Sequence, residues 1–172
     1  MSMEHKAFAF GYSEFQEELQ ETLNAALSTG ATDPLVAFIR SRFHELRDPY
    51  EGEPLTEDWE NLIEDRDAHQ YGDFAITKYY DPRENLGLGR AWESVQTLLL
   101  NKLGVDSPLL GKTLGPASNF FDPGKVGSYF QSESDVRSNL LAIEKISDPE
   151  IEGVLRMLRR AESVGRGLYV TF

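Results

Sequence analysis

Two glycine-bearing stretches have the residue types that hold phosphate groups. Leu86-Gly87-Leu88-Gly89 would let backbone amides approach an anion at the start of a helix. Ala91-Trp92 follows where a dinucleotide fingerprint needs its third glycine, and no acidic partner stands at the proper distance after a βαβ strand. A turn feeding a helix is the favoured reading. Gly111-Lys112-Thr113 has the form of a P-loop ending, but the loop's first glycine would fall at Asp106 and Pro108 breaks the strand that should precede it.

Glu64, Asp65, Asp67 and His69 are hard-metal ligand types. A calcium loop needs alternating oxygen ligands, a glycine at its sharp turn and a closing glutamate. Only Asp65 and Asp67 alternate here, with Arg66 between them. The reading is a solvated acidic helix end, with no metal and no cofactor assigned. His5, His44 and His69 have no i, i+4 relation, and no serine stands in a G-x-S-x-G elbow. A histidine could still meet a carboxylate in the fold and act as a general base. No catalytic residue is assigned from these patterns.

The charge pattern carries more information. Nine acids stand in the twenty positions 48–67 against one base, Arg66, while the whole chain has a formal charge of −12. Such a concentrated negative surface repels nucleic acid and attracts basic proteins, and its field speeds encounter roughly 10- to 1000-fold. Glu53, Glu57, Asp58, Glu60, Glu64 and Asp65 are placed to steer such a partner, with Tyr50 or Trp59 as its anchor if exposed. Arg156, Arg159, Arg160 and Arg166 make the last helix locally basic. They are read as favouring the helix C-terminus, pairing with neighbouring acids or forming a pole opposite the acidic face.

A second candidate site involves the long loop that the glycine- and proline-rich stretch 104–127 predicts. Arg90, Lys112, Asn119 and Asp122 would form it where the 111–130 loop crosses the Trp92 helix. Within that loop Phe120 and Phe121 are adjacent, so an extended backbone would turn them to opposite sides. Both roofing the core from an irregular loop is favoured over one of them serving as a surface anchor.

The elements that must position these residues are mostly helical. Lys6 to Phe10 reads as a strand. Ser13 caps a helix carrying Phe15, Leu19, Leu23, Ala26 and Leu27, which ends at Gly30. Asp33-Pro34 opens the next, with Leu35, Phe38, Ile39, Phe43 and Leu46 inward. A third begins at Thr56 on Trp59, Leu62 and Ile63. Phe74 to Tyr80 reads as a strand, and Trp92, Val95, Leu99 and Leu103 mark the clearest helix. One helical turn is expected at Pro108 to Leu110. Ser128 to Gln131 is a short strand, and Ser132 and Ser134 compete to cap a helix through Ile146, packed by Val136, Leu140, Leu141 and Ile143. Asp148-Pro149-Glu150 starts the last helix, on Ile151, Val154, Leu155 and Leu158. Gly165 stops it, and 167–172 is an apolar strand.

Helices with a few widely separated strands predict an α+β fold over 1–172, a single compact domain with a small sheet carrying helices on one face. A chain of 172 residues buries about 70% of its unfolded surface in such a domain. Zero cysteines exclude disulfides and thiolate chemistry and fit a reducing compartment. The start MSMEHKAFAF lacks a secretory leader, and no run of about 18 apolar residues occurs, so a cytoplasmic protein without a membrane span is expected.

Three pieces of the second half resemble the YfbM-like family of uncharacterised bacterial proteins. They are LGLGRAWESVQTLLL, then SPLLGKTLG with SESDVRSNLLAIEKISDPEI, and the closing RRAESVGRGLYVTF. Asp148 leads straight into the closing helix, where family members carry a longer insertion. The resemblance implies an α+β fold and a bacterial or phage origin, and it supplies no catalytic signature.

The leading functional expectation is a protein-binding inhibitor, in the form of a bacterial immunity protein that neutralises a basic toxin through the acidic segment. The alternatives are a small-molecule-binding domain or enzyme at the 111–130 loop, and a structural homodimer. Nucleic acid and membrane are not expected as partners. Either a monomer or a homodimer fits.

Overall fold

The final strand of the chain forms the middle of the sheet. The computed structural model describes residues 3–172. Its strands are β1 (Lys6–Phe10), β2 (Ser128–Gln131) and β3 (Gly167–Thr171), in the order β1-β3-β2. Both pairings are antiparallel, with Phe8 opposite Tyr169 and Phe130 opposite Tyr169. The helices are α1 (Tyr12–Glu18), α2 (Gln20–Thr29), α3 (Asp33–Arg42), α4 (Ala68–Ala75), α5 (Trp92–Leu103), α6 (Glu133–Ile143) and α7 (Glu152–Ser163). The fold is α+β.

Alternation along the strands divides the core in two. Phe8, Phe10, Phe130 and Tyr169 face one side, where Phe15, Leu23, Leu35, Ile39 and Phe74 of α1 to α4 cover them. Ala7, Leu168 and Val170 face the other, against Val95, Leu99, Val136, Val154 and Leu158 of α5 to α7. Helices therefore cover both faces, where one was expected. Leu168, Tyr169 and Val170 are all buried, and a continuous apolar run is what a strand covered on both faces requires. Aromatic rings fill the first core: Phe130 stacks on Tyr169 at 4.9 Å and on Phe15 at 5.9 Å between centroids.

Several helix boundaries follow from side-chain chemistry. Gly30 ends α2 in the left-handed conformation, at φ 78°. Ser132, rather than Ser134, caps α6, because Asp135 three residues on can return the bond to the Ser132 amide; Arg137, three after Ser134, has no acceptor to offer. That helix stops at Ile143, and Leu141 faces solvent rather than the core. Asp148 caps a short 3-10 turn, Pro149–Ile151, that leads into α7.

Other expectations fail. The first helix begins at Tyr12, so Ser13 is not its cap, and it bends at Leu19 into α1 and α2 while its apolar residues stay on the core. Leu46 is buried beyond the end of α3. The helix from Thr56 shrinks to a 3-10 turn, Trp59–Leu62, with Leu62 exposed; the acids at 57, 60 and 64 would stack like charges at helical spacing. Phe74 to Tyr80 is not a strand. It is the end of α4 and a 3-10 turn, Ile76–Tyr79, buried on nearly all sides, so neither period shows. No helix among the described residues is long and apolar enough to cross a membrane.

Candidate functional site

Helix α4 is the platform of the site. Asp67 accepts the Gln70 amide at 2.9 Å and caps it. A methyl group on Gly72 would stand 2.8 Å from both Leu23 and Phe121, so the bare glycine is what lets Phe121 tuck beneath the helix. His69, one turn earlier, holds the loop that carries Phe121. Its Nδ1 accepts the Asp122 amide at 3.0 Å, which places the ring proton on Nε2, and Nε2 donates to Asn119 Oδ1 at 2.8 Å. Asn119 in turn donates to the Leu27 carbonyl at 2.9 Å. With both ring nitrogens occupied, His69 serves as a tether and has no free nitrogen to act as a base.

The tether closes one side of a cleft of about 410 Å³ between the start of α4 and the 118–125 loop. Glu64, Asp65, Asp67 and Asp122 line it, against a single cation among the described residues, Lys125. Two of these acids are committed to local structure: Asp67 to the helix cap and Asp122 to the Gly127 amide at 3.0 Å. Glu64 and Asp65 remain exposed, their backbone amides held by the Gln70 side chain. Tyr50 and Phe120, 67% and 40% exposed, flank the acids. Of the adjacent phenylalanines, then, Phe121 is core and Phe120 is surface, against the favoured expectation.

A second, narrower cleft of about 100 Å³ shares Tyr50 and Pro123 with the first. Asp73, Tyr80 and Tyr169 border it. Burial pushes the Tyr50 phenol up to about 12, and the nearby carboxylates of Asp73, Asp48 and Glu64 add to the rise. Burial pushes the Asp73 carboxyl up to about 7, with the neighbouring Tyr50 hydroxyl opposing and Asp48 adding to the rise.

The expected site residues are thus regrouped. Tyr50, Glu64 and Asp65 of the acidic segment meet Asn119 and Asp122 of the second candidate site. Glu53, Glu57 and Asp58 are exposed outside the cleft, and Glu60 pairs with Arg40 at 2.8 Å. Trp59 is 2% exposed and packs edge-on to Tyr71, so it is a core residue and no anchor. Arg90 pairs with Glu4 at 3.3 Å, and Lys112 pairs through its backbone with Phe130; neither borders the cleft, so the four-residue ligand site does not assemble.

The phosphate-like motifs also have structural roles. A Cβ on Gly87 would fall 2.2 Å from the His5 carbonyl, so this glycine lets the 85–89 segment lie against β1. His5 is buried there, accepting the Leu88 amide at 3.1 Å on Nδ1 and meeting the Leu109 carbonyl at 2.9 Å through Nε2; burial lowers its pKa. A Cβ on Gly111 would likewise fall 2.5 Å from the Phe130 carbonyl oxygen, so a bare glycine is needed there too. Arg159 of α7 pairs with Glu144 at 3.7 Å, and Arg166, between α7 and β3, donates to the Tyr79 carbonyl at 3.1 Å.

Asp73, Tyr80 and Tyr169 escaped the sequence reading. One signal was present: an aspartate inside the run Tyr71-Gly72-Asp73-Phe74-Ala75-Ile76, where a charge interrupts apolar residues. Comparison with protein-family models, curated proteins and solved structures gives no significant match.

Proposed function

We propose that the chain is a binding protein for a basic protein, which it takes on the acidic cleft between α4 and the 118–125 loop. The observation that carries this reading is the pairing of free carboxylates with exposed aromatics: Glu64 and Asp65 stand with Tyr50 and Phe120 around one concave surface. Carboxylates steer a basic partner, and desolvated aromatic anchors hold it. Arginine and lysine also stack on phenol and phenyl faces, which suits a partner presenting them.

An inhibitor that neutralises a basic toxin is the form of this function that best fits the charge, as in the immunity proteins of bacteria. A cytoplasmic location and the YfbM-like likeness, which rests on the three stretches of the second half, belong to the same proposal. The ligand-site reading draws no support from this geometry, since Arg90 and Lys112 lie away from the cleft.

The test is affinity capture from the native host at low and moderate salt, with wild type beside a Glu64→Lys/Asp65→Lys variant. A stoichiometric basic protein held by wild type and lost by the variant supports the proposal. No basic protein, or one held equally by both, overturns it.

A further inference from the structure

The narrow cleft under Tyr50 contains a feature that surface steering does not use. Asp73 is 5% exposed and borders a cavity with room for about three waters. A carboxylate so buried needs a counter-charge or a proton. None of the ion pairs among the described residues includes it. The titratable groups that face it are Asp48, itself an acid, and the phenols of Tyr50, Tyr80 and Tyr169. Lys6 at the edge of β1 borders the cavity without pairing to Asp73.

We propose that this cleft takes a primary alkylammonium group, with the Asp73 carboxylate as counter-ion and the rings of Tyr50, Tyr80 and Tyr169 as a collar. An ammonium offers three donors, which the carboxylate and the phenol oxygens accept, while its methylene stem lies against the rings. A guanidinium is a broad planar fork, and a trimethylammonium has no donor to give the carboxylate. A single carboxylate is too little charge for a divalent cation, which gathers several oxygen ligands.

For the source of the ammonium the inference rests on the basic-partner reading. Tyr50 and Pro123 border both clefts, so a lysine side chain entering the narrow one leaves its neighbours facing Glu64 and Asp65. Without a counter-charge, burial holds the Asp73 carboxyl at about 7. Below that pH the ammonium must displace a proton, so its affinity falls about tenfold per pH unit.

The test is an NMR titration of the full chain with n-butylammonium chloride at constant ionic strength. Saturable shifts are expected at the Gly72, Phe74 and Gly124 amides at pH 8, weakening below pH 7. Asp73→Asn should bind at least tenfold more weakly with an unchanged circular dichroism spectrum. Tyr50→Ala removes an exposed ring, keeps the fold and should weaken binding several-fold. No saturable shift in wild type, or equal binding by both variants, overturns the inference.

Glu64→Gln/Asp65→Asn separates this inference from the partner reading, because butylammonium binding should survive it. Loss there with retention in Asp73→Asn assigns the amine to the open acidic surface and overturns the Asp73 site. A capped Gly-Lys-Gly peptide binding more tightly than spermidine supports a protein source. The reverse order keeps the ammonium site and assigns it a free polyamine.

Discussion

His69 Nε2 donates to Asn119 Oδ1 at 2.8 Å, joining residues 50 positions apart and fixing the loop that closes the acidic cleft. Its other nitrogen accepts the Asp122 amide, so one imidazole holds both ends of the Asn119–Asp122 segment. The cleft's shape thus depends on a side chain that its sequence context marks only as the companion of an acidic cluster.

Replacing His69 by alanine should loosen the loop without unfolding the core. Two hydrogen bonds are lost at a half-buried position, a cost of about 1–2 kcal/mol. The Asp122 amide should exchange with solvent much faster, while amides of β3 keep their protection. Unchanged exchange at Asp122 would show that the tether is not what orders the loop.

Asp73 gives stability a definite pH dependence. Its folded-state value of about 7 lies above the ordinary carboxyl value of 3.8, so between the two the folded protein holds a proton that the unfolded chain has lost. Its contribution therefore falls as pH rises through that window, by at most about 1.4 kcal/mol per unit, and levels off above about 7. Asp73→Asn removes this slope and should be the more stable protein at pH 8. Urea denaturation of both proteins at pH 5 and pH 8 checks the sign; a wild type that gains on the variant with rising pH contradicts it.

Gly72→Ala tests the packing under α4. Helix propensity favours alanine, but its methyl group would meet Leu23 and Phe121 at 2.8 Å. Overpacking should prevail, with a net loss of about 1–3 kcal/mol. Thermal melts measure it, and a stabilised variant would mean that Phe121 yields readily.

The proline- and glycine-marked helix ends were legible in the sequence because their signals are local: Pro34 opening α3, Gly30 and Gly165 as stops, while the start of α6 was legible only as two competing serines, Ser132 and Ser134. Residues 68–80 were not, because Tyr71, Phe74, Ile76, Tyr79 and Tyr80 are all buried and their burial has no period to read. Helices on both sheet faces were hidden for a related reason. A five-residue strand covered on both sides looks like any short apolar run. The cleft was half legible: the acidic segment supplied Tyr50, Glu64 and Asp65, but nothing local tells that Asn119 and Asp122 fold against them. Trp59 shows the opposite error, an aromatic amid acids that serves the core.

Charge inversion should discriminate within the acidic segment. Glu64→Lys/Asp65→Lys, inside the cleft, should slow association with a basic partner by tenfold or more at low salt and flatten its salt dependence. Glu57→Lys/Asp58→Lys, exposed but outside the cleft, should have the smaller effect. Stopped-flow association rates over a salt series read both, and equal slowing would place the contact elsewhere.

Hydrogen exchange on the complex with the captured basic protein locates the interface most directly. Binding at the acidic cleft predicts new protection at 64–70 and 118–125, with the amides of α7 unchanged. Protection confined to α5, α6 or α7, with the cleft exchanging as in the free protein, would contradict it.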